Sequence, residues 1–409
     1  MTASWRPLLD GELAEAAWAA VRAIGDDLAT RPRVGRNPID QALFCAHAAA
    51  ALDDDESRDR YDAALGRVED HVAAGLPSAS LYDGIVGAAW TIHHLTGDDC
   101  EEFLLDVDEQ LTAMVADRGS WTGHYDLISG LVGLGVYFLE RAPRPGARRG
   151  LHAVIDVLDE LGSRRGGVMS WHTPVDHVPH HQRAQFPNGY ENCGLAHGVP
   201  GVIALMGRAA SAPDPHPRAS AIARAADRWI MQQHLSSEPR GQFPAWVAPG
   251  FAPRPTRTAW CYGDAGVLAA LWSARRRLGD PLDTVVDMAL ACVGRPVHLC
   301  GVEDAGLCHG AAGLGHIYNR FYQASDDERF GAAARDWFAR ALAMRTPGAG
   351  VGGFRVIATA ADGSPIPRDD GDFLEGAAGI GLALLAALGR DPAWDRLLAC
   401  DIPTAAEPP

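Results

Sequence analysis

The 409-residue sequence contains no uninterrupted apolar run near the ~18 residues that a membrane-spanning helix needs, and Met1 to Asp10 offers neither a basic cluster nor an apolar signal core. A membrane span and a secretion signal are excluded on this reading, and the expected location is cytoplasmic. Positive charge is scarce too: 36 Lys plus Arg face 52 Asp plus Glu, for a net charge of −16. Nucleic-acid binding draws on a concentrated basic surface. The densest basic groups here are only Arg148-Arg149, with Arg141 and Arg144 nearby, and Arg275-Arg276-Arg277. DNA and RNA are therefore excluded as first partners. No Cys-x-x-Cys pair occurs, which removes the zinc-finger patterns. The eight cysteines (Cys45, Cys100, Cys193, Cys261, Cys292, Cys300, Cys308 and Cys400) read as reduced core residues or metal ligands, since nothing marks the chain for an oxidising compartment.

What is present is globular. Hydrophobic residues make up 47% and charged residues 22%, enough to bury a large core and too apolar for a disordered or fibrous chain. A Gly-x-x-Gly pair recurs six times, at Gly84/Gly87, Gly130/Gly133, Gly198/Gly201, Gly263/Gly266, Gly310/Gly313 and Gly376/Gly379. Each pair opens an Ala- and Leu-rich stretch of about three helical turns that is apolar nearly all round, as buried helices are. Between them, segments such as 215–235 and 324–345 carry apolar residues at helical spacing and Arg, Asp and Gln opposite, the pattern of amphipathic outer helices. The first glycines stand 46 to 68 residues apart, so seven units fill the chain. The seventh fits before Tyr82, where Asn37 to Leu52 begins with a cap and a proline and lacks the glycine pair; the repeat over about 1–75 is degenerate. The predicted fold is all-α: one domain over 1–409, a double-layered α/α toroid of alternating inner and outer helices. The glycines are expected where crowding at the barrel mouth demands positive φ and close backbone approach. Inserts at 163–196 and 236–260 are expected on that same rim, where sites are usually built.

At four successive helix starts the residues are chemically reactive: Tyr125-Asp126 before Gly130, Ala196-His197-Gly198, Trp260-Cys261-Tyr262-Gly263, and Cys308-His309-Gly310. In a closed toroid the starts of parallel inner helices face one central pocket. Cys261, Cys308 and His309 would then supply two thiolates and an imidazole, a set suited to Zn2+ that leaves a fourth tetrahedral position open, as catalytic sites do.

These motifs, in this order and spacing, resemble those of the LanC family of lanthipeptide (lantibiotic) cyclases in its stand-alone, class I form. The resemblance covers essentially the whole chain. It implies seven inner and seven outer helices, one zinc ion per chain held by Cys261, Cys308 and His309, and addition of Cys thiols of a dehydrated precursor peptide to dehydroalanine and dehydrobutyrine, giving lanthionine and methyllanthionine thioether rings. It also implies catalytic positions. His197 matches as a proton carrier near working pH, Tyr262 as a hydrogen-bond or proton donor, Asp126 as the residue fixing the His tautomer, and Arg257 as a partner for the developing oxyanion. A dehydratase and an exporter of the same pathway are the implied further partners, with attachment to the inner face of the membrane through them.

Other readings of the same residues stay in view. Asp126 could be a helix cap, Tyr262 a packed aromatic and Arg257 a rim ion pair. Asp264 and Ala265 are assigned no role. The His172–His197 insert, with His172, His177, His180, His181 and Cys193, is broken by Pro174, Pro179 and Pro187 and reads as a substrate-facing loop without a second metal. Asp53-Asp54-Asp55-Glu56 reads as a solvated helix start and not as a Mg2+ cluster of terpene-synthase type. An α/α-toroid glycosidase would use carboxylates such as Asp126, Glu191 and Glu375, but leaves both cysteines without a task. A LanC-like thiol- or glutathione-handling protein would carry the same metal ligands.

Overall fold

Fourteen helices of two turns or more arrange themselves as two concentric rings in a computed structural model that describes residues 5–116, 121–236, 238–359 and 364–405. In chain order they are α1 (Gly11–Thr30), α2 (Pro38–Leu52), α3 (Asp55–Ala73), α4 (Ile85–Thr96), α5 (Glu101–Ala116), α6 (Leu131–Glu140), α7 (Pro145–Leu161), α8 (Val199–Ala210), α9 (Ala219–Met231), α10 (Asp264–Leu278) and α11 (Asp283–Val293), then the single turn α12 (Val297–Cys300), followed by α13 (Ala311–Ser325), α14 (Glu328–Ala343) and α15 (Ala377–Ala387). The inner ring runs α2, α4, α6, α8, α10, α13, α15, each touching the next, and α15 closes against α2. Their composition decides their place: α15 buries all eleven of its residues and α10 everything from Asp264 to Ala274. The outer helices are two-faced, as in α9, where Ile222, Ala223, Ala226, Trp229 and Ile230 are buried and the arginines are not. The outer partner of α15 is α1, so the first helix in the chain completes the last pair.

Local signals start and stop these helices. Asn37 caps α2, its side chain accepting from the Ile39 N–H (3.1 Å), with Pro38 at the first turn. Within the Asp53–Glu56 run, Asp54 caps α3 by accepting from the Ser57 N–H and pairs with Arg22. At the joint of α5, α6 and α7, the fully buried Arg141 is held by Asp108 and Glu101, and Tyr137 donates to the same Asp108 (2.7 Å), so the buried charges are paired.

The glycine pairs meet the expected close backbone approach but not, with one exception, the positive φ. Of the six first glycines only Gly263 has a positive φ (+121°); the others sit at negative φ. Space is the shared constraint. A Cβ on Gly87, Gly266, Gly313 or Gly379 would overlap the carbonyl oxygen of Leu81, Trp260, Leu307 or Phe373, because the chain doubles back on itself just before each inner helix. These turns then lean on one another round the rim. Leu81 N–H donates to Ile128 O, Leu127 N–H to Ala196 O, Ala196 N–H to Cys261 O, Cys261 N–H to Cys308 O and Cys308 N–H to Leu374 O.

The two inserts lie on this rim and join. Strand β1 (Ser163–Arg165) pairs with β2 (Val168–Ser170), while β3 (His172–Thr173), β4 (Tyr190–Asn192) and β5 (Trp246–Val247) form an antiparallel sheet drawn from both inserts. Under it Val178, Phe186, Tyr190 and Ala248 make a satellite core. A second hairpin, β6 (Val356–Thr359) with β7 (Pro365–Arg368), stands on the rim as well. Residues 393–402 fill the middle of the ring. Asp395 meets His316 and Arg320, Arg396 meets Glu140, Asp401 meets Arg208 and Arg277, and the Leu398 carbonyl accepts from the Trp260 indole N–H (2.8 Å). No helix among the described residues is long and apolar enough to cross a membrane.

Candidate metal centre

The turn before α10 rests on the turn before α13. Trp260 and Cys261 N–H groups both donate to the Cys308 carbonyl (3.1 and 3.3 Å), and Cys308 N–H donates to Leu374 O (2.7 Å). This register sets Cys261 opposite Cys308 and its neighbour His309. One ligand atom from each of the three lies within 4.8 Å of the others, and among the described residues no other group of three or more potential ligands comes so close. Tetrahedral zinc with ~2.3 Å bonds to sulfur and ~2.1 Å bonds to nitrogen needs ligand atoms roughly 3.5–3.8 Å apart. The three donors therefore fit zinc with small side-chain rotations, and their chemistry, two soft thiols and an imidazole, selects it over Mg2+ or Ca2+.

Their mutual electrostatics point the same way. The Cys261 thiol is driven well below its ordinary range by a hydrogen bond from Cys308 and then by His309, against the opposing effect of burial. Cys308 is pushed up, chiefly by that same bond to Cys261, and His309 is raised by its bond to Cys261. A half-buried thiol whose acidity is raised by a second thiol and an imidazole beside it is a site that gains from a cation.

A cavity of about 720 Å3 opens beside the cluster, and His197, Arg257, Cys261, Tyr262 and His309 all line it. Cys308 faces a second cavity of about 330 Å3, shared with Asp40, Asp370, Asp372 and Glu375. The fourth side of the three-donor cluster thus looks onto open space. Asp126, 5% exposed, serves both readings of its sequence position. One oxygen accepts from the Ser129 N–H (2.8 Å), capping the turn into α6, and the other lies 2.6 Å from Nδ1 of His197. An ionised carboxylate can only accept, so Nδ1 carries the proton and Nε2 is left for a ligand. The His197 ring stacks 6.0 Å from that of Tyr262. Burial holds the Tyr262 hydroxyl well above its usual range, so it stays protonated. Arg257 is exposed on the cavity wall and forms no ion pair among the described residues, in contrast to the rim-pair reading. Asp264 is structural: fully buried, it pairs with Arg295 and accepts from the Gln242 N–H (2.8 Å).

In the histidine-rich insert, His177 stacks on His124 (4.0 Å) and His172 lies 3.7 Å from Glu191. Sequence reasoning passed over Asn192, whose side chain donates to the Tyr262 hydroxyl (3.0 Å). The only hint was the Asn192-x-Gly194 turn just ahead of Ala196-His197-Gly198. It also missed Asp304, which lines the cavity and accepts from the Gly306 N–H.

Residues 41–399 match the family described as lanthionine synthetase C-like protein. The chain is similar to the nisin biosynthesis protein NisC of Lactococcus lactis subsp. lactis, 25% identical over 279 residues, which are 63% of this chain and 65% of that protein's length. Its fold is similar to that of a solved nisin cyclase, with a TM-score of 0.72 at 20% identity over 93% of this chain and 96% of the other.

Proposed function

Since the chain belongs to the lanthionine synthetase C-like family, we propose that it is a zinc-dependent lanthipeptide cyclase. In this reading residues 1–409 act as one toroid on a precursor peptide whose Ser and Thr have been dehydrated, closing lanthionine and methyllanthionine thioethers. The observation that carries the reading is the convergence of Cys261, Cys308 and His309 on one point beside a cavity that also holds His197 and Tyr262. Cys261, Cys308 and His309 would hold the zinc ion, which when bound would supply the Lewis acidity that lowers the pKa of a peptide thiol.

The remaining work falls to the chain's own groups. Asp126 holds the proton on Nδ1 of His197, so neutral His197 offers a lone pair at Nε2 to take the thiol proton. Sulfur attack at Cβ moves the π electrons of the dehydroamino acid onto its carbonyl oxygen, and the Arg257 guanidinium, which forms no ion pair among the described residues, is a cation on the cavity wall available to that oxygen. A proton then goes to Cα, from the Tyr262 hydroxyl or from protonated His197. The cavity of about 720 Å3 is large enough for a few residues of extended peptide. A dehydratase supplies the substrate and an exporter removes the product, so both are proposed as partners, with the enzyme on the cytoplasmic side.

Metal analysis of protein purified without added metal tests the core of this. Wild type should carry about one zinc per chain and Cys261→Ala or Cys308→Ala little or none; both variants should fail to close a thioether in a dehydrated peptide. A glycosidase would survive Cys308→Ala. Zinc-free wild type that still folds, or cyclisation by the metal-free variants, would sink the proposal.

A further inference from the structure

Asn192 stands at the end of β4, 2% exposed, where the rim insert turns down toward His197. Its amide has an unambiguous orientation. The backbone N–H of Gly194 can only donate, and it meets the Asn192 side chain at 2.8 Å, so Oδ1 faces Gly194. That leaves Nδ2, a donor, against the Tyr262 hydroxyl at 3.0 Å. The hydroxyl oxygen is therefore an acceptor in this bond, and its own proton points elsewhere. Among the described residues it has no acceptor, and the open direction is the cavity that Tyr262 lines. The approach is tight by construction. A Cβ on Gly194 would press on the Tyr262 ring, so the glycine two residues on is what lets ring and amide meet.

We infer that Asn192 is a positioning residue for thioether formation: by donating to the Tyr262 oxygen it turns the hydroxyl proton toward the substrate, making Tyr262 a donor to the enolate. The inference rests on the cyclase reading for its chemistry and on hydrogen-bond direction alone for its geometry. The balance is simple. The S–H proton passes to Nε2 of His197, the sulfur bonds to Cβ and the displaced π pair becomes the enolate; the Tyr262 proton ends on Cα, and Tyr262 regains a proton from solvent as His197 returns its own to solvent.

Asn192→Asp is the informative change, because it keeps the shape and the acceptor for Gly194 but replaces the donor by an acceptor that would draw the Tyr262 proton away from the cavity. With zinc-loaded full-length enzyme and a synthetic peptide bearing one dehydroalanine and one cysteine, Asn192→Asp should keep its zinc and its KM and lose at least ~10-fold in kcat. The loss should approach that of Tyr262→Phe, and the double variant should be no worse than Tyr262→Phe alone. Wild-type kcat in Asn192→Asp, or losses that multiply in the double variant, would overturn the inference. A second readout needs no turnover. With 15N-labelled asparagine, the hydrogen-bonded Asn192 side-chain proton should shift in Tyr262→Phe, and an unmoved signal would overturn the geometry even if Asn192→Asp fails to fold. If the signal moves but wild type leaves the peptide open, the cyclase reading falls and takes the catalytic half of the inference with it.

Discussion

Asp126 spends its two oxygens on two different jobs, capping the turn at Ser129 and holding Nδ1 of His197. An Asn in its place keeps the cap through Oδ1 but presents an NH2 group to Nδ1. His197 would then have to accept there and carry its proton on Nε2, the nitrogen that faces the ligand, which leaves no base. Asp126→Asn should therefore retain zinc and thermal stability while kcat on a dehydrated peptide falls by about 100-fold or more; unchanged turnover would remove Asp126 and His197 from the mechanism together. Much of this was legible at the residue scale because cysteine, histidine and aspartate stood at equivalent points of a repeat. Asn192 was not, since an asparagine gains its meaning from what the fold places across from it, 70 positions away.

At the scale of elements, the inner helices meet at their far ends through titratable contacts. His47 of α2 lies 3.4 Å from His94 of α4, which stacks on Trp90 and lies 3.5 Å from Glu140 of α6, itself paired with Arg396. Burial, and then His94, lower the pKa of His47 to about 4, against about 6.5 for an unfolded histidine. Between those values the unfolded chain binds the extra proton, so stability is full above pH ~6.5 and declines as pH falls toward ~4, by about 3 kcal/mol over the window. Glu140, held at about 2, adds a further loss only below its ordinary value of 4.5. Thermal melts of wild type from pH 7.5 to 4.5 should show a falling midpoint that flattens in His47→Gln; parallel curves would assign the acid sensitivity elsewhere. The helices themselves were readable from composition and periodicity. The sheet was not, because β3 and β5 are two residues long and their pairing joins inserts that neither pattern nor propensity connects.

For the whole molecule, the sequence predicts a sevenfold toroid, and two rings of seven helices are what the described residues form. Periodicity could not reveal that α1 would leave its own repeat to become the outer partner of α15, or that residues 393–402 would occupy the middle of the ring, because both are contacts between segments hundreds of residues apart. That arrangement has a consequence in time. The turn carrying Cys308 is incomplete until Leu374 accepts its amide, and Trp260, next to Cys261, has no acceptor for its indole until Leu398 arrives. Long-range closures of this kind are slow to form, so the proposed zinc site should be among the last features the chain completes. In stopped-flow refolding with a zinc indicator, metal uptake should follow the slowest tryptophan phase; uptake that runs ahead of it would mean the centre assembles on an open ring.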